Sequence, residues 1–142
     1  MGQQQLLLLV LAAVIVGLAV VTGINMFGQN ALQANQDAIR QDLLTIAAEA
    51  QSWYRRPVAL GGGGNTFVGL TGAAGWAAIN YNSGGAATFV NTNATYAWGT
   101  PTAVGHTITG TSIQDHDGDA TLMLLTATVT PNAVTIAVTT PD

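Results

Sequence analysis

The sequence predicts an α+β fold: one long N-terminal helix, hydrophobic in its first half and amphipathic in its second, packed on a C-terminal antiparallel β-sheet. Three observations predict it. No side chain from Met1 to Gln36 carries a charge, and Leu6 to Phe27 is almost continuously apolar. Leu32, Ile39, Leu43, Ile46, Ala50 and Trp53 then recur at intervals of three, four and seven, with Asn35, Asp37, Arg40, Gln41, Asp42 and Glu49 between them. The final third alternates apolar and polar residues with period two.

The apolar run has the length of a membrane-crossing helix, for which about 20 residues suffice. A cleaved secretory signal would carry a basic stretch ahead of a shorter apolar one, and nothing basic precedes Leu6. The striped segment that follows is an amphipathic helix. No proline occurs before Pro57, so a single helix can run from near Leu6 to about Tyr54. Its length of roughly 70 Å exceeds a ~30 Å hydrocarbon core, which places its second half outside any membrane. Gly17, Gly23 and Gly28 interrupt the first half, each less favourable than alanine by up to about 1 kcal/mol. They suit bending, local melting or close approach of neighbouring helices, or are simply the small residues common in membrane helices. The chain divides into a hydrophobic stem, 1–28, and a head, 29–142, comprising the amphipathic helix 29–56, a glycine-rich loop 57–86 and a sheet 87–142.

Pro57 ends the helix, and Gly61 to Asn65 reads as a flexible connection. A phosphate-cradling loop would need a lysine after its glycines, and Asn65-Thr66 follows instead. Trp76 to Tyr81 reads as a short strand. Val90, Ala94, Tyr96 and Trp98 share one face of the first clear strand, Val104, His106 and Ile108 one face of the next, and Met123, Leu125, Ala127 and Val129 one face of a third. Val134, Ile136 and Val138 alternate with Thr135, Ala137 and Thr139 in the fourth. Asp117-Gly118 predicts a two-residue hairpin and Pro131-Asn132 a tight turn, so the last three strands form a meander. The striped helix is the one long element able to cover its apolar face.

Composition removes several functional classes. Three arginines against seven acidic residues give a net charge of −4, with no footprint for nucleic acid. Charged residues form 7% of the chain, against roughly 25% in ordinary soluble domains. Cysteine and lysine are absent and only His106 and His116 are histidines, which leaves few groups for covalent or proton-transfer chemistry. The chain is expected not to be an enzyme and to need no cofactor. Asp115, Asp117 and Asp119 form the densest oxygen-rich cluster, which reads as a solvated hairpin turn more readily than as a calcium-type ligand set, since the glutamate that closes an EF-hand loop is missing. Asn93-Ala94-Thr95 matches the N-glycosylation acceptor pattern. His106 falls on an apolar strand face and reads as a buried or edge histidine.

An uncharged N-terminal hydrophobic helix running into an amphipathic helix, a glycine-rich loop and a terminal antiparallel sheet resembles the type IV pilin family across the whole chain. That resemblance implies a stem that anchors the monomer in the cytoplasmic membrane and then becomes the core of an extracellular helical filament. Attachment or motility would follow from it; a pseudopilin of a secretion system and a membrane-anchored monomeric binding module are the alternatives. The implied partners are further copies of the chain, the membrane before assembly and the pilus assembly machinery. The implied assembly residues are Gln5, Leu6, Leu7, Leu8, Leu9, Val10, Leu11, Val14, Ile15, Gly17, Leu18, Val21, Gly23, Ile24 and Phe27. Counted from Met1 as the mature start, Gln5 stands where family members carry glutamate; counted from Met1 as initiator, no basic leader precedes the stem. The family's disulfide-closed loop is also absent.

Overall fold

Freedom from proline lets the N-terminal helix continue without a break as α1, Gly2–Arg55, in a computed structural model that describes residues 2–116 and 118–140. Its 54 residues span roughly 80 Å at 1.5 Å each. The three stem glycines leave the helix intact, and a Cβ at Gly17, Gly23 or Gly28 would meet nothing within 4 Å. Only the striped half is covered: Ile39, Leu43, Ile46, Ala47, Ala50 and Trp53 are its buried residues.

The glycine run after Pro57 is not a flexible connection. After a single 3-10 turn, Val58–Leu60, the chain folds back and caps the helix end. The N–H groups of Gly63, Gly64 and Asn65 donate to the carbonyls of Trp53, Arg56 and Tyr54 at 2.8, 3.0 and 2.8 Å. These are the carbonyls a helix end leaves without intrahelical partners. Close approach explains the residue type: a Cβ at Gly63 would overlap the Thr66 carbonyl and the Trp53 ring, and one at Gly69 would sit 2.7 Å from Trp53 Cη2. Trp53 Nε1 in turn donates to the Gly61 carbonyl at 3.0 Å.

The Trp76 to Tyr81 segment is not a strand. Its first half belongs to helix α2, Gly72–Ala78, whose buried residues are Gly75 and Trp76, and the rest is turn and loop. Its Ala-rich run suits a helix, since alanine has the highest helix propensity. Beyond it the described residues form five strands rather than four: β1 Thr88–Val90, β2 Ala94–Trp98, β3 His106–Ser112, β4 Leu124–Val129 and β5 Val134–Thr140. They form one antiparallel sheet in sequence order. The stretch from Val90 to Trp98, read as one strand, is a hairpin. Asn91 Oδ1 accepts from the N–H groups of Asn93 and Ala94 at 2.9 and 3.0 Å, an Asx-type turn that reverses the chain. Val90 therefore pairs with Thr95 and is exposed, while Phe89 packs against the core.

Val104 is likewise exposed in a bend before β3. The β3–β4 connection is a long loop, residues 113–123, rather than a two-residue hairpin; Ser112 N–H donates to the Met123 carbonyl at 2.8 Å across its base. Asp117 lies outside the described residues. The β4–β5 turn is tight as expected, with Thr130 N–H donating to the Ala133 carbonyl at 2.8 Å.

The strands bury alternate side chains on one face, giving a core of Ala94, Tyr96, Ile108, Leu125, Ala127 and Val129 against α1, with Trp76 of α2 beside them. The other face is lined by threonines, including Thr95, Thr107, Thr109, Thr111, Thr126, Thr128, Thr135 and Thr139. Helix α1 runs antiparallel to β3. Asn35 Nδ2 donates to Ser112 Oγ at the C-terminal end of β3, whereas Gln51 Nε2 and Arg55 reach the carbonyls of Thr130 and Pro131, both at 2.8 Å, where β4 turns into β5. The stem thus leaves the head beside the β3–β4 loop, along the strand direction.

Candidate functional site

The largest chemically uniform surface is the stem. Leu6, Leu7, Leu8, Leu9, Val10, Leu11, Val14, Ile15, Leu18, Val21, Ile24 and Phe27 are all more than half exposed, and the apolar window of α1 has no buried residue. Such a helix is long and apolar enough to cross a membrane. Gln5 lies on the first turns of this helix and is exposed, as is Gly17 within it, whereas Gly23 is half-buried. Thr22 does not offer its hydroxyl outward: Oγ1 donates to the Leu18 and Ala19 carbonyls at 3.0 Å each. Side chains of Gln3, Leu6, Leu7 and Val10 form a shallow apolar groove on the helix surface. No side chain from Met1 to Gln36 is charged or titratable near neutral pH; what the stem can do is bury apolar area at about 25 cal/mol per Å².

In the head, one carboxylate organises a polar cluster. Asp42 sits at the edge of the buried stripe of α1, and its Oδ2 accepts from Tyr96 Oη at 2.6 Å and from the side-chain amides of Asn91 and Asn93 at 2.9 Å each. Burial alone would raise its pKa, but the hydrogen bonds from Asn93, Tyr96 and Asn91 outweigh it and hold the carboxyl below its usual value. The Tyr96 phenol is pushed up by burial, and further by its bond to Asp42 and that residue's charge. The cluster fastens the β1–β2 turn to α1. It also occupies the proposed glycan acceptor, because Asn93 Nδ2 donates to Asp42 and the side chain is half-buried.

Replacing Asp42 with alanine leaves the Tyr96 hydroxyl and two amides without their acceptor. The expected loss is about 1.5–3 kcal/mol, the range for hydrogen bonds to a charged group. Urea unfolding of the full chain in detergent, followed by tryptophan fluorescence, measures it, since every tryptophan lies in the head.

The acidic loop is built from its own backbone. Asp115 accepts from the N–H groups of Gly118 and Ala120 at 2.6 and 2.8 Å, and Asp119 from that of Thr121 at 2.7 Å. Among the described residues no group of three His, Cys, Asp or Glu side chains converges to hold a metal. The third aspartate of that set, Asp117, lies outside them.

His106 is buried, 2% exposed, with its ring stacked on Trp98 at a centroid distance of 4.9 Å and Phe67 beyond at 6.5 Å. Neither ring nitrogen has a hydrogen-bond partner in good geometry, and the same holds for Trp98 Nε1. Burial drives its pKa down to about 4, against a smaller opposing pull from the backbone of Leu70 and Thr100. The imidazole is neutral and sealed among aromatic rings, and among the described residues no nucleophile is hydrogen-bonded to it.

Sequence reasoning found the stem and His106 but read Asp42 only as a polar residue between stripe positions. Its signal lay three residues after Ile39 and four before Ile46, which puts a carboxylate on the flank of the buried face. Comparison with family models, with curated proteins and with solved structures found no match.

Proposed function

We propose that this chain is a structural subunit which inserts its stem into the cytoplasmic membrane and then polymerises through it into an extracellular, type IV pilus-like filament. The observation that carries this reading is the division of α1. Its head half buries a stripe against the sheet, whereas its stem half has no buried residue, is largely apolar and carries no charge. Such a surface requires lipid or other apolar helices around it. Packing stems together removes both apolar area and water, and no side-chain charge is trapped by doing so. The head offers no assembled catalytic constellation among the described residues, and its charge-poor, threonine-rich face suits repeated exposure on a fibre.

Negative-stain microscopy of the purified full chain after detergent removal tests the proposal. Thin helical fibres are expected from the wild type. Ile15→Lys places a charge at the middle of the stem, a position where insertion of a lysine is unfavourable by about 2.5–3.5 kcal/mol. It should abolish fibres while leaving the tryptophan fluorescence of the head unchanged. Dispersed monomers from the wild type under the same conditions would refute the filament reading and leave that of an anchored monomer.

A further inference from the structure

Strand β5 is an edge of the sheet, with no strand beyond it among the described residues. Natural edges are normally protected by charge, proline or a bulge. From Val134 to Val138 this edge reads Val-Thr-Ile-Ala-Val, with neither charge nor proline, and the register shift opposite Leu124/Leu125 falls beyond it.

The hydrogen-bond phase of the edge can be read from the turn. Thr130 and Ala133 form a hydrogen-bonded pair. Antiparallel ladders alternate, so Thr135 and Ala137 exchange bonds with β4 through their partners Thr128 and Thr126. Val134, Ile136 and Val138 therefore direct their N–H and C=O groups away from the sheet. Their side chains point to the core face yet remain only partly buried, because no neighbouring strand covers that side.

We propose that β5 is a homotypic docking edge, at which two copies of this chain pair antiparallel about a twofold axis through Ile136. In that register Val134 opposes the partner copy's Val138 and Ile136 opposes its own counterpart. All three outward residues of each copy then exchange backbone hydrogen bonds. Aliphatic side chains meet on the core face, and Thr135 meets Ala137 on the threonine face. The segment is close to palindromic in side-chain type, so it is its own best complement. The other edge is a poorer match: β1 has three residues, and continuing the sheet from β5 to the β1 of a copy in the same orientation would require parallel pairing.

The twofold axis is normal to the sheet, so it reverses every direction lying along the sheet. Because α1 runs antiparallel to β3, the two stems emerge in opposite directions. Helix α1 packs mainly over β3 and β4 and less over β5, and its Gln51 reaches the β4–β5 turn. Measured from β4 to its counterpart across the joined edges, the helices are about 14 Å apart. That exceeds the 8–10 Å of helices in contact, so they pass without clashing. The edge thus joins chains from opposed surfaces or from filaments of opposite polarity. It does not join neighbours anchored side by side. One edge buries less than the ~1,200 Å² of a stable interface, so a single contact is weak, and repetition along a fibre multiplies it. That gain by repetition rests on the filament reading; the pairing itself does not.

The chain has no cysteine, so introduced pairs report without background. Thr135→Cys and Ala137→Cys are both on the exposed face, and the proposed register places each opposite the other in a non-hydrogen-bonded pair. Mixing the two full-length variants in detergent under mild oxidant should give disulfide dimers about tenfold faster than either alone, because like positions lie too far apart to bridge. Self-linking of either variant at the mixed rate, or no gain on mixing, would overturn the proposal. Detergent-dispersed chains are used so that a failure to form fibres does not affect the readout.

Discussion

Replacing Trp76 with alanine is expected to lower the unfolding free energy by about 3–5 kcal/mol, the usual loss for a buried tryptophan. Trp76 is fully buried, stacks on Trp98 at 4.2 Å, and lies 5.7 and 6.0 Å from the rings of Phe89 and Tyr81. Its Nε1 donates to the Ala87 carbonyl at 3.0 Å, tying α2 to the entry of β1. Removing the ring empties the junction where a short helix and a three-residue strand support each other. A domain of ordinary stability has 5–15 kcal/mol in total, so much of it would go. Urea unfolding of the full chain by the fluorescence of Trp53 and Trp98 measures the loss. Trp76→Phe should recover part of it, having kept the stacking and lost the hydrogen bond. A loss below about 1 kcal/mol in Trp76→Ala would mean that this aromatic cluster does not hold the α2 layer in place.

Acid is the second large lever. His106 has a pKa of about 4 in the folded chain, because burial disfavours its cation, against an ordinary 6.5 once unfolded. Between those values the unfolded state binds the additional proton, so stability falls as pH drops from 6.5 to 4 and levels off below. The expected loss is up to about 2–3 kcal/mol. Asp42 contributes in a different window: its carboxyl is held below its ordinary value, so its stabilisation is present above that value and disappears as pH falls through the folded pKa. His106→Leu should remove the dependence between pH 6.5 and 4 and leave the more acidic one. It should also stabilise the head at neutral pH, since two buried ring nitrogens without partners are replaced by an apolar group. An unchanged slope between pH 6.5 and 4 in His106→Leu would assign the acid effect elsewhere.

What was legible in the sequence follows from how far each signal extends. The stem and stripe persist over many turns, so α1 could be placed to within a few residues, and the alternation of Leu125, Ala127 and Val129 with Thr126 and Thr128 fixed the buried face of β4. Short-range signals were ambiguous. The alternation from Val90 to Trp98 survives a reversal because Asn91 and Asn93 are polar in either reading, and only the Asn91 side-chain bonds reveal the turn. The WAAINY segment is too short for a period to distinguish helix from strand. Gly61 to Gly64 suggested slackness, yet Gly62 and Gly63 leave room for Arg56 and Trp53, contacts that exist only once α1 and the loop have met. The same applies to Asp42, whose partners Asn91, Asn93 and Tyr96 are brought to it by the sheet.

The alignment of α1 with the strands has a mechanical consequence. Tension applied through the stem acts along the sheet's own strand axis, so it loads the contact between helix and sheet in shear. Ile39, Leu43, Ile46, Ala50 and Trp53 must then slip together over their neighbours, whereas a helix crossing the strands could be peeled away one turn at a time. Forced unfolding is set by the unfolding barrier rather than by equilibrium stability. A chain of this design resists pulling along its stem better than the size of its head would suggest.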